Sequence, residues 1–262
     1  MSRRLEGKNA LVTGSTQGLG AVIARAFARE GARVAVTGLP PEKGREVAAS
    51  LGNGSVFVPG NLADVEETRG VAREALRALG EIDILVNNAA NVERSTLEDF
   101  TPELFDRQFH INVRAPLLLA QELLGSLRRR RGVVINIGSI NAHVGWPNLL
   151  VYSATKAALL TVSRNLANAL KYARVRVHCL NPGWMDTDGE RVMMARLGHP
   201  PDFLEREGKR LPLGRLLKPE EVAELVVHLA GDGGVAFSGI VADLEQYPIG
   251  VLCHPEDTEP MQ

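Results

Sequence analysis

Three side chains in the sequence have the types and spacing needed for proton transfer. The stretch LLVYSATKAALL, residues 149–160, places Tyr152 and Lys156 four residues apart on one face of a predicted helix, so both can point into the same cleft. A phenol titrates at about pH 10 and is a poor acid or base at neutral pH unless a nearby cation, here Lys156, favours its phenolate. Ser139 ends the predicted strand VVINIGS and could hydrogen-bond the same substrate oxygen as Tyr152. General acid–base catalysis, commonly worth ~10²- to 10⁴-fold in rate, is one interpretation, and a surface pair on an amphipathic helix is the other.

A glycine-rich turn follows the first predicted strand, in VTGSTQGLGAVIA. Gly14, Gly18 and Gly20 lie between that strand and a predicted helix. In this context glycine lets the backbone approach a pyrophosphate, and the helix N-terminus adds free N–H groups. The spacing differs from GxGxxG, so a purely structural βα turn competes with a dinucleotide site, which the context favours.

The residues after the second predicted strand do not decide between NAD and NADP. An acidic residue at this place favours NAD, and an arginine favours NADP. The segment VAVTGLPPEKG instead has Gly38 and Leu39 at the junction. Thr37 and Lys43 could contact a phosphate, although Lys43 fits a surface residue better. We therefore expect NAD or NADP as the cofactor, with the preference open.

Short β-branched runs alternate with amphipathic stretches along the chain, which predicts repeated βα units. We expect an α/β class protein, a single-domain doubly wound Rossmann fold over residues 1–262 with a seven-stranded, mainly parallel sheet and helices on both faces. Strands are predicted in NALVTG and ARVAVTG, at 55–58, 82–86, 132–137 and 175–180, and around 239–243; helices are predicted at 18–30, 41–51, 64–79, 102–130, 152–172 and 219–230. The segment 184–212, the covering segment below, breaks the alternation and is expected to carry a short helix over the site. A C-terminal tail is expected from about 244 to 262.

Composition excludes several classes of protein. Lys+Arg 30 against Asp+Glu 31 gives a net charge of -1, which argues against a nucleic-acid or membrane-surface binder. No apolar run approaches the ~18 residues of a membrane span, and we read no signal peptide, so a cytoplasmic location is expected. Cys179 and Cys253 are too few for a disulfide framework or a thiolate zinc site, and no metal site is predicted. The run RRRR at 128–131 ends a predicted helix and fits a solvated helix terminus better than a phosphate site.

From Leu11 to about Gly239 the sequence resembles the short-chain dehydrogenase/reductase family. Several of the family's motifs are present in the right order and separation. The matching stretches are TGSTQGLG at 13–20 for TGxxxGxG, Asn87-Asn88-Ala89 for NNA, Asn112, Ser139, Tyr152-Ser-Ala-Thr-Lys156 for YxxxK, and Asn181-Pro182-Gly183.

The resemblance implies that Asn112, Ser139, Tyr152 and Lys156 move a hydride between a nicotinamide and a carbonyl or alcohol carbon. Tyr152 would be the general acid in reduction and the base in oxidation, while Ser139 would position and polarise the oxygen. Lys156 would lower the pKa of Tyr152 and hold the nicotinamide ribose, and Asn112 would support a water relay. On a structural interpretation, Asn112 would cap or bend its helix and Ser139 would simply end a strand.

Cofactor contacts also carry over from the resemblance by position. They are Gly14, Ser15, Gln17, Gly18, Leu19, Gly38, Leu39, Asn61, Leu62, Asn88, Ala89, Tyr152, Lys156, Pro182, Gly183 and Thr187. Asn61 stands where the family often has Asp beside adenine, and Thr187 matches the residue that meets the nicotinamide carboxamide. The resemblance further implies a homotetramer or homodimer through the helices near 102–130 and 152–172, whose apolar faces could equally pack on the sheet.

Side chains in three predicted loops offer a surface for a substrate: Asn91, Asn141, His143, Trp146 and Trp184. This mixture suits a small polyhydroxylated molecule, and predicts an NAD(P)-dependent oxidoreductase of a sugar- or polyol-like alcohol or carbonyl. The alternatives are a 3-oxoacyl-carrier-protein-type ketoreductase, which should show a basic docking patch near the cleft, and a non-catalytic dinucleotide sensor. The tail SGIVADLEQYPIG resembles that of sugar- or polyol-oxidising members, and Asp243, Glu245 or Gln246 could reach a neighbouring subunit's site.

Overall fold

A seven-stranded sheet forms the centre of the protein in a computed structural model that describes residues 3–247 and residue 249. The strand order is β3-β2-β1-β4-β5-β6-β7, and all six neighbouring pairs are parallel. The strands are β1 Asn9–Thr13, β2 Arg33–Thr37, β3 Val56–Phe57, β4 Ile84–Asn87, β5 Val133–Ile137, β6 Arg176–Pro182 and β7 Val241–Leu244. The predicted doubly wound α/β fold is confirmed, with a sheet that is wholly rather than mainly parallel.

Helices cover both faces of this sheet because successive strand residues point to opposite sides. They are α1 Gly18–Arg29, α2 Pro41–Leu51, α3 Val65–Leu79, α4 Pro102–Phe109, α5 Ala115–Glu122, α6 Leu124–Arg130, α7 Leu150–Leu170, α8 Asp188–Arg196, α9 Phe203–Gly208 and α10 Pro219–Ala230. On β1, Val12 faces the cluster that contains Phe27 of α1 and Val226 of α10. Leu11 faces the opposite cluster, which contains Leu119 of α5. The strand order reverses between β1 and β4, where an open α/β sheet has its ligand crevice.

The long helix predicted at 102–130 is interrupted. A π-helical turn, His110–Arg114, separates α4 from α5, and α6 starts again after Leu123. The N–H of Ala115 bonds to the carbonyl of His110, five residues earlier. Pro116 has no N–H to give to the carbonyl of Asn112, four residues before it, so the regular α-helical bonding pattern cannot continue there.

The covering segment contains two short helices, α8 and α9, where one was predicted. Its small apolar cluster is built on Met194, Leu204 and the adjacent Leu216. The tail follows β7, and Gln246 accepts a hydrogen bond from Leu213 N–H at 2.8 Å. Most of the predicted tail, residue 248 and residues 250–262, lies outside the described residues.

Candidate active site

The glycine turn after β1 is fixed by side chains that follow β4. Gly14 and Gly18 have φ of +63° and +55°, values that glycine adopts without strain. Thr13 Oγ1 accepts hydrogen bonds from the backbone N–H groups of Asn88 and Ala89, both at 3.0 Å. The Asn88 amide donates back to the carbonyl of Thr13 at 3.0 Å. Asn88 and Ala89 therefore hold the turn in place on the β4 side.

The beginning of α1 fits a pyrophosphate. No side chain caps this end of the helix, and its first turn contains no acidic residue. A Cβ at Gly18 would meet no atom within 4 Å, so there is open space at the first residue of this helix, whose first N–H groups have no partner within the helix. Gln17 is exposed and Leu19 is buried. The Ser15 hydroxyl donates to Val12 O and its N–H to Thr37 O, and a cofactor contact at Ser15 stays a prediction.

At the predicted adenine side of the crevice, the junction that follows β2 has no charged side chain of its own. Thr16 Oγ1 donates to the carbonyl of Leu39 at 2.7 Å, and the Leu39 side chain is 61% exposed. No carboxylate or guanidinium lies between Gly38 and Pro40. Asn61 accepts a hydrogen bond from the N–H of Ala63 at 3.0 Å. Leu62, also predicted to contact the cofactor, is buried.

The predicted catalytic side chains come together at the carboxyl end of β5. Tyr152 lies in the first turn of α7 and Lys156 one turn later, on the same face. The Lys156 ammonium donates to the carbonyl of Ile137 at 2.7 Å and lies 5.5 Å from the centre of the Tyr152 ring. Ser139 follows β5 by two residues, is buried, and is close enough to affect the pKa of Tyr152. An oxygen placed between Ser139 and Tyr152 would contact two hydroxyl groups.

Burial determines the protonation of this pair. Burial raises the pKa of Tyr152 to about 12, although the Ser139 hydroxyl lowers it in part and the Glu190 carboxylate raises it further. Burial also lowers the pKa of Lys156 to about 8. The net shift of the Tyr152 pKa is therefore upward, because burial disfavours the charged form of both groups. A lowering of this pKa by the Lys156 cation stays a prediction.

Asn112 joins two elements through its side chain. Its Oδ1 accepts from Asn91 N–H at 2.8 Å, and its Nδ2 donates to Asn91 O at 3.0 Å and to Thr155 Oγ1 at 2.9 Å. The amide thus anchors the loop after β4 to α7. A water relay at Asn112 stays a prediction.

Polar residues in the loop after β5 face β6 and β7. The Asn141 N–H and its Nδ2 both donate to Ser139 Oγ at 3.2 Å. His143 Nε2 lies 3.1 Å from Asp243 Oδ1, which also accepts from Asn181 at 2.7 Å. Asp243 therefore has partners within its own chain, as does Gln246. Trp146 is 60% exposed.

Trp184 lies within the covering segment's own packing. Its indole N–H donates to Glu190 Oε1 at 2.8 Å, and its ring meets Phe203 edge-on at 6.2 Å. Thr187 accepts a hydrogen bond from Glu190 N–H at 3.1 Å and so caps α8. Pro182 ends β6, and Gly183 N–H donates to Leu244 O at 2.8 Å.

Sequence reasoning missed Arg94 and Glu190. Arg94 Nη1 donates to Asn148 Oδ1 at 3.2 Å, and its Nη2 lies 3.9 Å from Glu190 Oε1. Glu190 is near enough to Tyr152 to influence its pKa. The available signal was the pattern Thr187-x-x-Glu190, which is typical of a helix start and says nothing about the catalytic cleft.

The described part of the chain contains neither a metal-binding cluster nor a membrane-spanning helix. No group of three or more His, Cys, Asp or Glu side chains there could hold a metal ion. No helix among residues 3–247 is both long and apolar enough to cross a membrane.

Comparison with known proteins covers nearly the whole chain. A family model described as enoyl-(acyl carrier protein) reductase matches residues 14–243. The probable galactose dehydrogenase of Rhizobium meliloti (strain 1021) is 32% identical over 239 residues, 89% of this chain and 92% of that protein.

Two solved structures show the same fold. L-sorbose reductase from Gluconobacter frateurii, complexed with NADPH and L-sorbose, has a TM-score of 0.89 at 28% identity over 96% of this chain and 100% of that one. The 3-ketoacyl-(acyl-carrier-protein) reductase from Brucella melitensis, complexed with NADH, has a TM-score of 0.83 at 30% identity over 92% and 98% of the two chains. With the family model, these matches show that the chain belongs to the short-chain dehydrogenase/reductase family of NAD(P)-dependent oxidoreductases.

Proposed function

We propose that this protein interconverts a small, hydroxylated alcohol and its carbonyl compound, with a sugar- or polyol-like molecule as the substrate. The observation that carries the proposal is the meeting of Ser139, Tyr152 and Lys156 at the carboxyl end of β5. The glycine turn at the carboxyl end of β1, with open space at Gly18 before the free end of α1, supports a dinucleotide at the same edge of the sheet.

Tyr152 is the group that gives or takes the proton. Because its pKa is raised to about 12, the phenol carries its proton at neutral pH and can donate it to a carbonyl oxygen during reduction. Bound nicotinamide supplies the hydride to the carbonyl carbon, or accepts it in the reverse direction. Ser139 holds the reacting oxygen, and Lys156, through its fixed ammonium, orients the cofactor ribose beside Tyr152.

The substrate class is supported by the polar groups around this oxygen site. Asn141 bonds to Ser139, Glu190 lies near Tyr152, and the His143–Asp243 pair belongs to the same loop after β5 as Asn141. The named activities of the Rhizobium relative and the Gluconobacter structure, a probable galactose dehydrogenase and an L-sorbose reductase, agree with such a substrate.

Reduction of a 3-oxoacyl group on a carrier protein is the second candidate, favoured by the similarity to the Brucella reductase. A carrier protein is acidic in the region that docks, so this function calls for free cations near the cleft. The arginine run does not provide them, because Arg129 pairs with Glu81 and Arg130 with Asp83 at the amino end of β5. Arg191 of α8, in the covering segment, is not a free cation either, because it pairs with Asp186.

We also propose a homodimer or homotetramer formed through α4, α5 and α7. Phe105 of α4 and Leu117 of α5 are exposed apolar side chains, and Phe105 stacks on Phe109 at 4.4 Å. Light scattering of the purified protein measures this assembly directly.

The central experiment follows nicotinamide absorbance with both cofactors over a panel of sugars, polyols, simple ketones and a 3-oxoacyl thioester. We expect turnover of hydroxylated substrates. Tyr152→Phe should reduce kcat by ~10²- to 10⁴-fold while leaving cofactor affinity almost unchanged, because only the proton donor is lost. Tight cofactor binding with no turnover anywhere in the panel, or a fully active Tyr152→Phe variant, would contradict the proposal.

A further inference from the structure

The serine of the candidate active site begins a short turn, residues 139–143, called the serine turn below. Ser139 comes directly before a 3₁₀-helical turn, Ile140–Ala142, and His143 comes directly after it. The Ser139 hydroxyl accepts two hydrogen bonds from Asn141 at 3.2 Å, and the Ser139 carbonyl accepts one from Ala142 N–H at 2.9 Å. All these bonds lie within the serine turn, so they fix its shape but not its place on the sheet. The position of the Ser139 hydroxyl therefore depends on what holds the two ends of the turn.

The first end of the serine turn is held by β6. Gly138, the residue before Ser139, donates its N–H to Leu180 O at 2.6 Å. A Cβ at Gly138 would collide with Asn181 Oδ1, so the Asn181 side chain lies directly against the backbone that leads into Ser139. Asn181 is fully buried, and in a closely packed interior a shift of its side chain would also shift Gly138 and Ser139.

The carboxylate of Asp243 on β7 connects the two ends. Asp243 lies beside Asn181 in the register of β6 and β7, and its Oδ1 accepts a hydrogen bond from Asn181 Nδ2 at 2.7 Å. The same oxygen lies 3.1 Å from His143 Nε2, at the other end of the serine turn. With the His143 proton on Nε2, one carboxylate oxygen accepts from both side chains, and hydrogen bonds to an ionised acceptor are the stronger kind.

We propose that Asp243 is a positioning residue that holds Ser139 in place for the reaction. This inference rests on the proposed function, in which Ser139 holds the reacting oxygen. Without the Asp243 carboxylate, Asn181 and His143 lose their shared acceptor, and the serine turn can move relative to Tyr152. A displacement of about 1 Å in an active site can cost ~10²-fold in rate.

The test is a double-mutant cycle between Asp243 and Ser139 in the full-length protein, with the panel substrate that has the highest wild-type kcat/KM. Asp243→Ala should reduce kcat by about 10- to 10²-fold. The dissociation constants of NADH and NADPH, from fluorescence titration, should hardly change, because the glycine turn after β1 is untouched. In a Ser139→Ala background the same substitution should reduce kcat by about twofold or less, since the hydroxyl that Asp243 positions is already absent.

Three further variants separate positioning from general damage. Asp243→Asn keeps an oxygen acceptor for Asn181 and His143, so its kcat should lie clearly above that of Asp243→Ala. Asp232→Ala, the same change at an exposed residue near Arg176 at the amino end of β6, should leave kcat unchanged. Thermal unfolding checks the fold of each variant, and His143→Ala, which removes only one of the two bonds, replaces Asp243→Ala in the cycle if the latter does not fold.

The outcomes distinguish this inference from the proposed function. A wild-type kcat in Asp243→Ala, an equal fold loss with and without the Ser139 hydroxyl, or no recovery in Asp243→Asn would each overturn the role of Asp243 and leave the proposed function standing. Absence of wild-type turnover over the whole panel of sugars, polyols and ketones would instead remove the proposed function and this inference with it.

Discussion

The sheet and the covering segment border the same catalytic side chains but are held by different interactions. Leu85 of β4 and Ile135 of β5 are fully buried within two large apolar clusters that cover both faces of the sheet. The covering segment has two buried residues, Met194 and Leu204, in a small cluster with the adjacent Leu216, and it reaches the rest of the chain through contacts such as Glu190 with Arg94 and Arg210 with Tyr247. The cofactor turn and the tyrosine are thus rigidly placed, while the substrate side depends on few contacts.

Because large apolar clusters hold the sheet and few contacts hold the covering segment, the same leucine-to-alanine substitution should reduce stability unequally in the two regions. Leu85 and Leu204 are both buried, at 0% and 3% exposure. Leu85→Ala should lower the free energy of unfolding by about 2–5 kcal/mol, because it leaves a cavity in the sheet core. Leu204→Ala should lower it by about 1 kcal/mol or less, because α9 can open without unfolding the sheet. Urea unfolding of both variants measures the two losses.

Enzyme kinetics and amide hydrogen exchange test whether Leu204→Ala loosens the covering segment alone. Leu204→Ala should raise the substrate KM and speed amide exchange in α8 and α9, while Leu85→Ala should leave the exchange pattern of these helices as it is. Equal stability losses in the two variants would mean that the covering segment unfolds together with the sheet, and the contrast between the two regions would be wrong.

The regularity of the sheet explains why most of the fold could be predicted from the sequence. All seven predicted strands are present, and α1, α2, α3 and α10 agree with their predicted ranges within two residues. Burial on both faces produces short β-branched runs, and one buried helix face produces helical periodicity, so both patterns are local. The same locality allowed Tyr152, Lys156 and Ser139 to be placed together before the structure was known.

The substrate side could not be predicted in this way because its contacts join distant parts of the chain. Glu190 meets Arg94 and Trp184, and His143 meets Asp243 one hundred residues later. No periodicity connects such positions. The upward shift of the Tyr152 pKa could not be predicted for a related reason, since the sequence shows the interval to Lys156 but not how strongly both groups are buried.

A buried histidine gives the sheet a weakness that the covering segment lacks. His178 of β6 is fully buried, and neither ring nitrogen has a hydrogen-bond partner among the described residues. Burial lowers its pKa from 6.5 to about 4. The unfolded chain therefore binds a proton that the folded chain rejects, and stability is lost as the pH falls below 6.5 toward 4.

Replacement of this histidine should remove that loss. Between pH 7.5 and 5, His178 should cost the wild type about 2 kcal/mol of unfolding free energy, and His178→Leu should not show this contribution. Urea unfolding at the two pH values gives the difference. A parallel pH dependence in wild type and variant would show that His178 is protonated in the folded sheet or is not the responsible group.

The smallest expected effect concerns the contact between the covering segment and the catalytic tyrosine. The Glu190 carboxylate raises the pKa of Tyr152 because it repels the phenolate. Glu190→Gln keeps an oxygen to accept the Trp184 N–H but removes the charge, so the pKa of Tyr152 should fall. Alcohol oxidation requires the phenolate, and the rising limb of its kcat/KM profile should therefore move to lower pH.

The stability of this variant should hardly change, since a partly exposed ion pair with 3.9 Å between its charged atoms is worth about 0.5 kcal/mol or less. Glu205→Gln, on an exposed residue of α9, is the matched control and should leave the profile where it is. If the rising limb of the kcat/KM profile stays in place or moves to higher pH in Glu190→Gln, the covering segment does not act on Tyr152 through this charge. A shift without a loss of stability would show that a weakly held segment still tunes the proton transfer of a rigidly held residue, because an electrostatic influence needs proximity and not packing.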